Sequence, residues 1–144
     1  MDFAFEFAIG TKMDSESKYP YTGYEGPCRS IEGDFKAKSF SDVTTLSPSA
    51  LQKAVAKSPV ATAVDAGSSM FQFYKGGIMQ HGCGTGLNHG MLIVGYGSES
   101  DGQDYWILKN SWGTSWGEDG YVRILREMDH EGYPGVCGLQ INPS

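Results

Sequence analysis

The chain has 144 residues, enough for one domain with a modest hydrophobic core. Its 40% hydrophobic and 19% charged residues are typical of a globular protein and exclude an intrinsically disordered one. The formal charge of −6 includes no basic cluster, so we expect no nucleic-acid partner. No segment is apolar over the ~18 residues that a membrane helix needs, so we expect no membrane partner either. Glycine is unusually frequent, at 20 residues, which favours a loop-rich, mostly β protein.

The first half of the chain contains two predicted helices. Residues 1–9 have helical spacing, with apolar and acidic side chains on opposite faces, and Gly10 is a suitable stop. The second helix has Ser47 as a good N-cap and Pro48 at its first position. It is expected to end at residues 58–59, because a residue before proline avoids helical geometry.

The second half of the chain is predicted to form strands, because four segments are rich in β-branched and aromatic residues. These segments are residues 60–65, 91–96, 105–109 and 121–125. The loop 97–103 contains Asp101-Gly102 and joins two of the strands as a hairpin. These elements predict an α+β fold, with a small antiparallel sheet or barrel and one or two helices packed outside it.

One candidate site residue is a histidine that leads into a buried strand. The motif is Leu87-Asn88-His89-Gly90, and the apolar segment 91–97 follows directly. A histidine in this place is held rigidly and can still face a cleft. The alternative is a histidine at a strand edge that hydrogen-bonds to nearby backbone.

A second candidate site is the segment from Lys109 to Tyr121, which has two tryptophans and three glycines within nine residues. One interpretation is a glycine-rich corner held by aromatic packing. The other is that the side-chain oxygen of Asn110 holds an imidazole N–H, with Trp112 shielding it from water. That would be the orienting role in a triad of nucleophile, base and orienter.

Three cysteines are too few for a disulfide scaffold, and their odd number leaves at least one without a partner in the chain. Cys83 and Cys137 each lie in a glycine-rich loop, which favours a disulfide over a metal site. A zinc site at His81, Cys83 and His89 lacks a fourth ligand at a familiar spacing, so we expect no metal. Glycines 82, 84 and 86 have the wrong spacing for a phosphate loop.

In this order, the His89 and Asn110 motifs and Cys137 closely resemble the papain family of cysteine peptidases. Three further segments carry the resemblance over nearly the whole chain: Tyr19-Pro20-Tyr21, Cys28-Arg29-Ser30 and residues 71–78. The resemblance implies two lobes with the active site between them and a polypeptide substrate. A cysteine thiolate from the helical lobe attacks the peptide carbonyl. His89 would pair with that thiolate, Asn110 would orient His89, and Trp112 would shield their hydrogen bond.

The expected nucleophile is missing from this sequence. The family signature C-G-[SA]-C-[WY] lies about 130–150 residues before the histidine and asparagine. His89 has only 88 residues ahead of it, so we expect that cysteine on a preceding segment or a second chain. Residues 1–27 would then belong to an otherwise missing N-terminal lobe, and residues 28–144 would form the β-rich C-terminal lobe. We expect the chain alone to be inactive.

The resemblance also implies how the three cysteines and the substrate pocket are arranged. Cys83 would pair with Cys137, and Cys28 would bond to a cysteine of the missing lobe. The subsite for the second residue before the scissile bond would be lined by uncharged side chains, which favours an apolar substrate residue. These side chains belong to Ala63, Leu87, Asn88 and Asn142.

The remaining expectations concern cofactor, location and an alternative function. The family implies no cofactor and a lysosomal, vacuolar or secreted protein. The alternative is a non-catalytic fragment of the fold that serves as a binding or structural subunit of a larger assembly.

Overall fold

The computed structural model describes all residues from Met1 to Ser144. They form two units, Met1–Ser41 and Asp42–Ser144. The predicted lobe boundary after residue 27 falls inside the first unit, and the assignment of residues 1–27 to a missing lobe remains a prediction.

The first unit contains one helix, α1 (Asp2–Gly10), where the sequence predicts one. Phe5 on this helix stacks on Phe40, with 5.4 Å between ring centroids. Most of the remaining residues are irregular, apart from a single antiparallel bridge between Met13 and Phe35. This unit is therefore held by a few local contacts and has no sheet of its own.

The second unit contains the other helices and all the strands. In chain order they are α2 (Pro48–Val55), β1 (Val60–Val64), α3 (Ser69–Gln72), β2 (Ile78–Met79), β3 (His89–Ser98), β4 (Asp104–Lys109), β5 (Tyr121–Leu125) and a 3-10 turn (Val136–Gly138). Ser47 caps α2 as predicted, because its Oγ accepts a hydrogen bond from the backbone N–H of Ala50 at 3.2 Å. The sequence did not predict α3, β2 or the 3-10 turn.

The five strands form one sheet in the order β1-β3-β4-β5-β2. The pairings of β1 with β3, β3 with β4 and β4 with β5 are antiparallel, as the sequence predicts. The pairing of β2 with β5 is parallel, so the sheet is mixed. The sheet is open, with β1 and β2 at its edges. The predicted α+β, β-rich fold is confirmed.

The core of the second unit lies between the sheet and α2. Strands β4 and β5 alternate buried and partly exposed residues, and Leu51 and Val55 of α2 are buried with them. The predicted disulfide between Cys83 and Cys137 is present and ties the loop before β3 to the 3-10 turn. No helix of this chain is long and apolar enough to cross a membrane.

Candidate active site

His89 is the first residue of β3, and the sheet fixes its backbone. It pairs with Val64, the last residue of β1, which is fully buried. The side chain of His89 is only partly buried. A histidine at this position has a rigid backbone and an imidazole that can still meet a group outside the sheet.

Asn110 follows the last residue of β4, and its side chain meets that of His89. The Oδ1 atom of Asn110 lies 2.8 Å from Nε2 of His89 and also accepts the backbone N–H of Ser111 at 2.7 Å. Asn110 is buried, and its backbone N–H donates to the carbonyl of Gly120 at 2.9 Å. Because an amide oxygen can only accept, Nε2 of His89 carries the proton and Nδ1 is free to accept one.

Trp112 packs against the imidazole of His89, with 4.9 Å between ring centroids. Behind it, the rings of Phe71 and Trp116 meet Trp112 edge-on, at 5.7 and 5.3 Å. Trp116 is buried, and its indole N–H donates to the carbonyl of Gln72 at 3.0 Å. The loop after β4 is therefore the aromatic-packed corner that the sequence suggests, and the same corner holds Asn110.

The turn at the end of this loop requires glycine. Gly117 has a φ of +59°, and a Cβ there would lie 2.5 Å from the carbonyl oxygen of Tyr121 and 3.0 Å from the ring of Tyr74. No side chain fits in that space, so the path of the loop back into β5 depends on this residue.

Glu118 clamps the same loop to the sheet. Its carboxylate accepts hydrogen bonds from Nε and Nη2 of Arg123 at 2.9 and 2.8 Å and from the backbone N–H of Gly77 at 2.9 Å. The Arg123 guanidinium lowers the pKa of Glu118, and Glu118 in turn raises the pKa of Arg123. Sequence reasoning missed this clamp, because Gly77 lies 41 residues from Glu118 and no local pattern links them.

Two of the predicted pocket residues lie beside His89. Ala63 pairs with Gly90 across β1 and β3. The backbone N–H of Asn88 donates to the carbonyl of Val64 at 3.0 Å, and both ends of the Asn88 side chain are hydrogen-bonded within the chain. This part of the predicted pocket is thus built onto the same pair of strands as His89.

The other two predicted pocket residues lie on loops. Leu87 is half-buried beside Gly138, where a Cβ would lie 2.9 Å from the Leu87 side chain. Asn142 is exposed and lies two residues before Ser144. The backbone of Ser144 pairs with that of Ala61 in β1. The structure therefore gives no direct contact that joins Asn142 to His89.

The residues weighed as zinc ligands are not arranged as a metal site. Cys83 is bonded to Cys137, so its sulfur is not available as a thiolate. No group of three or more histidine, cysteine, aspartate or glutamate side chains is placed to hold a metal ion.

Comparison with known proteins decides the family. A family model described as papain family cysteine protease matches residues 1–144. The chain belongs to this family. The resemblance inferred from the His89 and Asn110 motifs is therefore confirmed.

The relatives of this papain-family chain are longer than it is. It is 48% identical over 146 residues to the senescence-specific cysteine protease SAG39 of rice (Oryza sativa subsp. indica), and the match covers 100% of this chain and 42% of that protein. The structure of bromelain from Ananas comosus, in complex with the E64 inhibitor, has a TM-score of 0.89 at 40% identity. That match covers 97% of this chain and 65% of the bromelain chain.

A solved proform gives the same fold. The Amb a 11 cysteine protease, a ragweed pollen allergen, has a TM-score of 0.90 at 38% identity, and the match covers 97% of this chain and 39% of that chain. The papain-family chain described here thus spans less than half the length of the curated relatives it matches.

Proposed function

We propose that this chain is part of a papain-type cysteine endopeptidase, in which His89 and Asn110 activate a cysteine nucleophile that lies on an N-terminal lobe. That lobe is either a preceding segment of the same precursor or a second chain. The observation that carries the proposal is the 2.8 Å hydrogen bond between Nε2 of His89 and Oδ1 of Asn110.

The chemistry follows from the tautomer that this bond selects. Asn110 holds the Nε2 proton, so Nδ1 of His89 accepts the proton of the cysteine thiol and the pair becomes thiolate and imidazolium. A thiol has a pKa of about 8.5 and becomes a ready nucleophile at lower pH only beside such a positive charge. The thiolate attacks the peptide carbonyl, and the imidazolium then gives its proton to the leaving amine. Water hydrolyses the resulting thioester.

The cysteines of this chain argue for a nucleophile elsewhere. Cys83 and Cys137 are bonded to each other. Cys28 is an exposed free thiol in the first unit, and its neighbours do not match the C-G-[SA]-C-[WY] signature.

Helix α1 carries two large apolar side chains, Phe3 and Phe7, which are 88% and 55% exposed. Exposed apolar side chains of this size favour burial against another polypeptide. The N-terminal lobe is the partner that fits.

The substrate of the assembled enzyme is a polypeptide with an apolar residue two positions before the scissile bond. Ala63 and Leu87 would meet that residue, and the amides of Asn88 and Asn142 add no charge to the pocket. By family, the enzyme would act in a lysosomal or vacuolar compartment or after secretion.

The test is the intact mass of the native protein, measured before and after reduction. We expect a non-reduced species larger than 15.6 kDa. If the second lobe is a separate chain, reduction should release it. If it is a preceding segment of the same precursor, the longer precursor sequence should contain it. A thiol-reactive peptidyl epoxide should then label a cysteine in a C-G-[SA]-C-[WY] segment of that lobe. Loss of labelling in a His89→Ala variant would support the role of the imidazole.

Two outcomes would contradict the proposal. A lone native chain near 15.6 kDa that takes no label would favour the non-catalytic subunit. Turnover of a fluorogenic dipeptide by the pure 144-residue chain, abolished by His89→Ala, would place the nucleophile inside this sequence.

A further inference from the structure

We propose that Asp65 is a positioning residue for His89, acting through Asn88 and the loop of residues 83–88. This inference rests on the proposed function, since it concerns the same imidazole. Asp65 directly follows β1, and no part of the chemistry described above uses its carboxylate. We call Asp65 and its hydrogen-bond donors the carboxylate anchor.

The carboxylate anchor draws its donors from two parts of the chain, the residues just after β1 and the loop 83–88. Oδ1 of Asp65 accepts the backbone N–H of Gly67 at 3.1 Å and Nδ2 of Asn88 at 3.2 Å. Oδ2 accepts the backbone N–H of Gly84 at 3.0 Å. A Cβ at Gly84 would lie 2.8 Å from Oδ2, so glycine permits this close approach. A single side chain thus joins the end of β1 to the loop that precedes β3.

Asn88 links Asp65 to His89, because its side chain contacts Asp65 and His89 is the next residue in the chain. While its Nδ2 donates to Asp65, its Oδ1 accepts the backbone N–H of Ala66 at 2.9 Å. Its own backbone N–H donates to the carbonyl of Val64 at 3.0 Å. Hydrogen bonds from both the side chain and the backbone of Asn88 therefore fix the residue that directly precedes His89. The direction of the imidazole toward Asn110 depends on the position of this residue.

A carboxylate suits this position better than a neutral side chain. All of its partners named above are neutral N–H donors, and only an ionised carboxylate can accept all of them. The backbone N–H of Gly67 is the largest cause of a lowered pKa for Asp65, and Asn88 and Gly84 act in the same direction. The lowered pKa favours the ionised form, which is the form that this hydrogen-bond arrangement requires.

The first experiment follows the tautomer of His89 by ¹⁵N NMR of the ring nitrogens in the full 144-residue chain. We expect Nε2 to be the protonated nitrogen in the unmodified chain and the Nε2-protonated fraction to fall in Asp65→Asn. His81 and His130 serve as internal references. Asp34→Asn is the matched control, because Asp34 also accepts a backbone and two side-chain hydrogen bonds but lies in the first unit. An unchanged His89 tautomer in Asp65→Asn overturns the proposal.

The second experiment measures kcat and KM in the complete enzyme with its nucleophile-bearing lobe. Because small misplacements of a reacting group are costly, we expect Asp65→Asn to lower kcat about tenfold with KM changed less than about twofold. Asn88→Asp replaces a hydrogen-bond donor with a second carboxylate beside Asp65, and their repulsion should also lower kcat. Combining the two substitutions exchanges carboxylate and amide and should recover at least about a third of the lost kcat, since one N–H to oxygen bond can form again.

The outcomes separate this inference from the proposed function. A complete enzyme without peptidase activity would refute the proposed function, and the tautomer measurement would still decide the role of Asp65. A kcat that falls equally in Asp34→Asn, or a double variant no better than Asn88→Asp, would reduce Asp65 to a general contributor to stability and overturn the proposal.

Discussion

The indole ring of Trp112 lies against the imidazole of His89, with 4.9 Å between the ring centroids and 35° between the ring planes. Trp112 is still 40% exposed, so the indole contacts the imidazole and also meets solvent. An aromatic cover over a hydrogen bond slows its exchange with water and strengthens it electrostatically.

Replacing Trp112 with alanine should uncover the hydrogen bond between His89 and Asn110. We expect exchange of the His89 Nε2 proton with water to accelerate by at least about tenfold, which corresponds to a loss of ~1.4 kcal/mol of protection. Trp112→Phe keeps an aromatic face and should retain most of the protection. Proton exchange is read from the NMR signal of that ring proton, and equal rates in Trp112→Ala and the unmodified chain would contradict the shielding role.

Replacing Asn110 with alanine should leave two donors, Nε2–H of His89 and the N–H of Ser111, without their acceptor. The loss should cost about 1 kcal/mol in unfolding free energy, because two partly buried hydrogen bonds lose their acceptor. In the complete enzyme, kcat should fall on the order of 100-fold, because the imidazole loses its orientation. Ser115→Ala is the control, since Ser115 is exposed on the same loop. An Asn110→Ala enzyme with normal kcat would mean that the imidazole needs no orienter.

Gly117→Ala should be far more destabilising than Gly102→Ala. Both glycines have positive φ, but a Cβ at Gly102 meets nothing within 4 Å, whereas at Gly117 it collides with the carbonyl of Tyr121. We expect about 1–2 kcal/mol for Gly102→Ala, from backbone strain alone. For Gly117→Ala we expect about 3 kcal/mol or more, because the loop must shift as well. Urea unfolding at neutral pH measures both values, and similar losses would mean that the loop adapts freely.

Removing the disulfide with the double substitution Cys83→Ala and Cys137→Ala should cost about 3–5 kcal/mol in unfolding free energy, because it frees a 54-residue loop in the unfolded chain. Alanine avoids leaving a polar group at Cys137, which is buried. Thermal and urea unfolding should both report the loss. In the 144-residue chain, Cys28→Ala is the control, and it should change neither midpoint because that thiol is exposed and free. Matching midpoints for all three chains would show that the disulfide adds little.

Asp34 should titrate at unusually low pH. The Lys18 ammonium, 2.6 Å away, lowers the pKa of Asp34 from 3.8 to about 2, and Ser15 acts in the same direction. Because the folded pKa is depressed, the interaction stabilises the folded state fully above pH 3.8 and is lost as the pH falls through about 2. A ¹³C titration of the carboxyl carbon measures this pKa, and Lys18→Met should move it upward. A value that stays the same in Lys18→Met would assign the shift to other neighbours.

The helices and strands that were predicted from the sequence are those long enough to show helical or alternating spacing of apolar residues. Helix α2 and strands β1, β3, β4 and β5 lie within a few residues of the predicted bounds. Helix α3 has four residues and β2 has two, too few for helical or alternating spacing. Strand β2 forms because Ile78 pairs with Arg123, 45 residues away, and such a tertiary pairing leaves no local trace.

The contact between His89 and Asn110 was predictable because both residues stand in recognisable local motifs. His89 begins β3 and Asn110 directly follows β4, and the pattern around each one is specific. Asp65 and Glu118 escaped prediction because each accepts a backbone N–H from a residue far away in the chain, and any sequence supplies such groups. Only the fold shows which carboxylate meets which of these donors.

The two edge strands of the sheet, β1 and β2, affect whether copies of this chain can associate edge to edge. Strand β2, at one edge, has only two residues, Ile78 and Met79, so it offers too few open amide and carbonyl groups for a foreign strand to add to. At the other edge, the N–H and C=O of Ala61 are both taken by the backbone of Ser144. Edge-to-edge aggregation, the usual hazard of an open sheet, is therefore disfavoured on both sides.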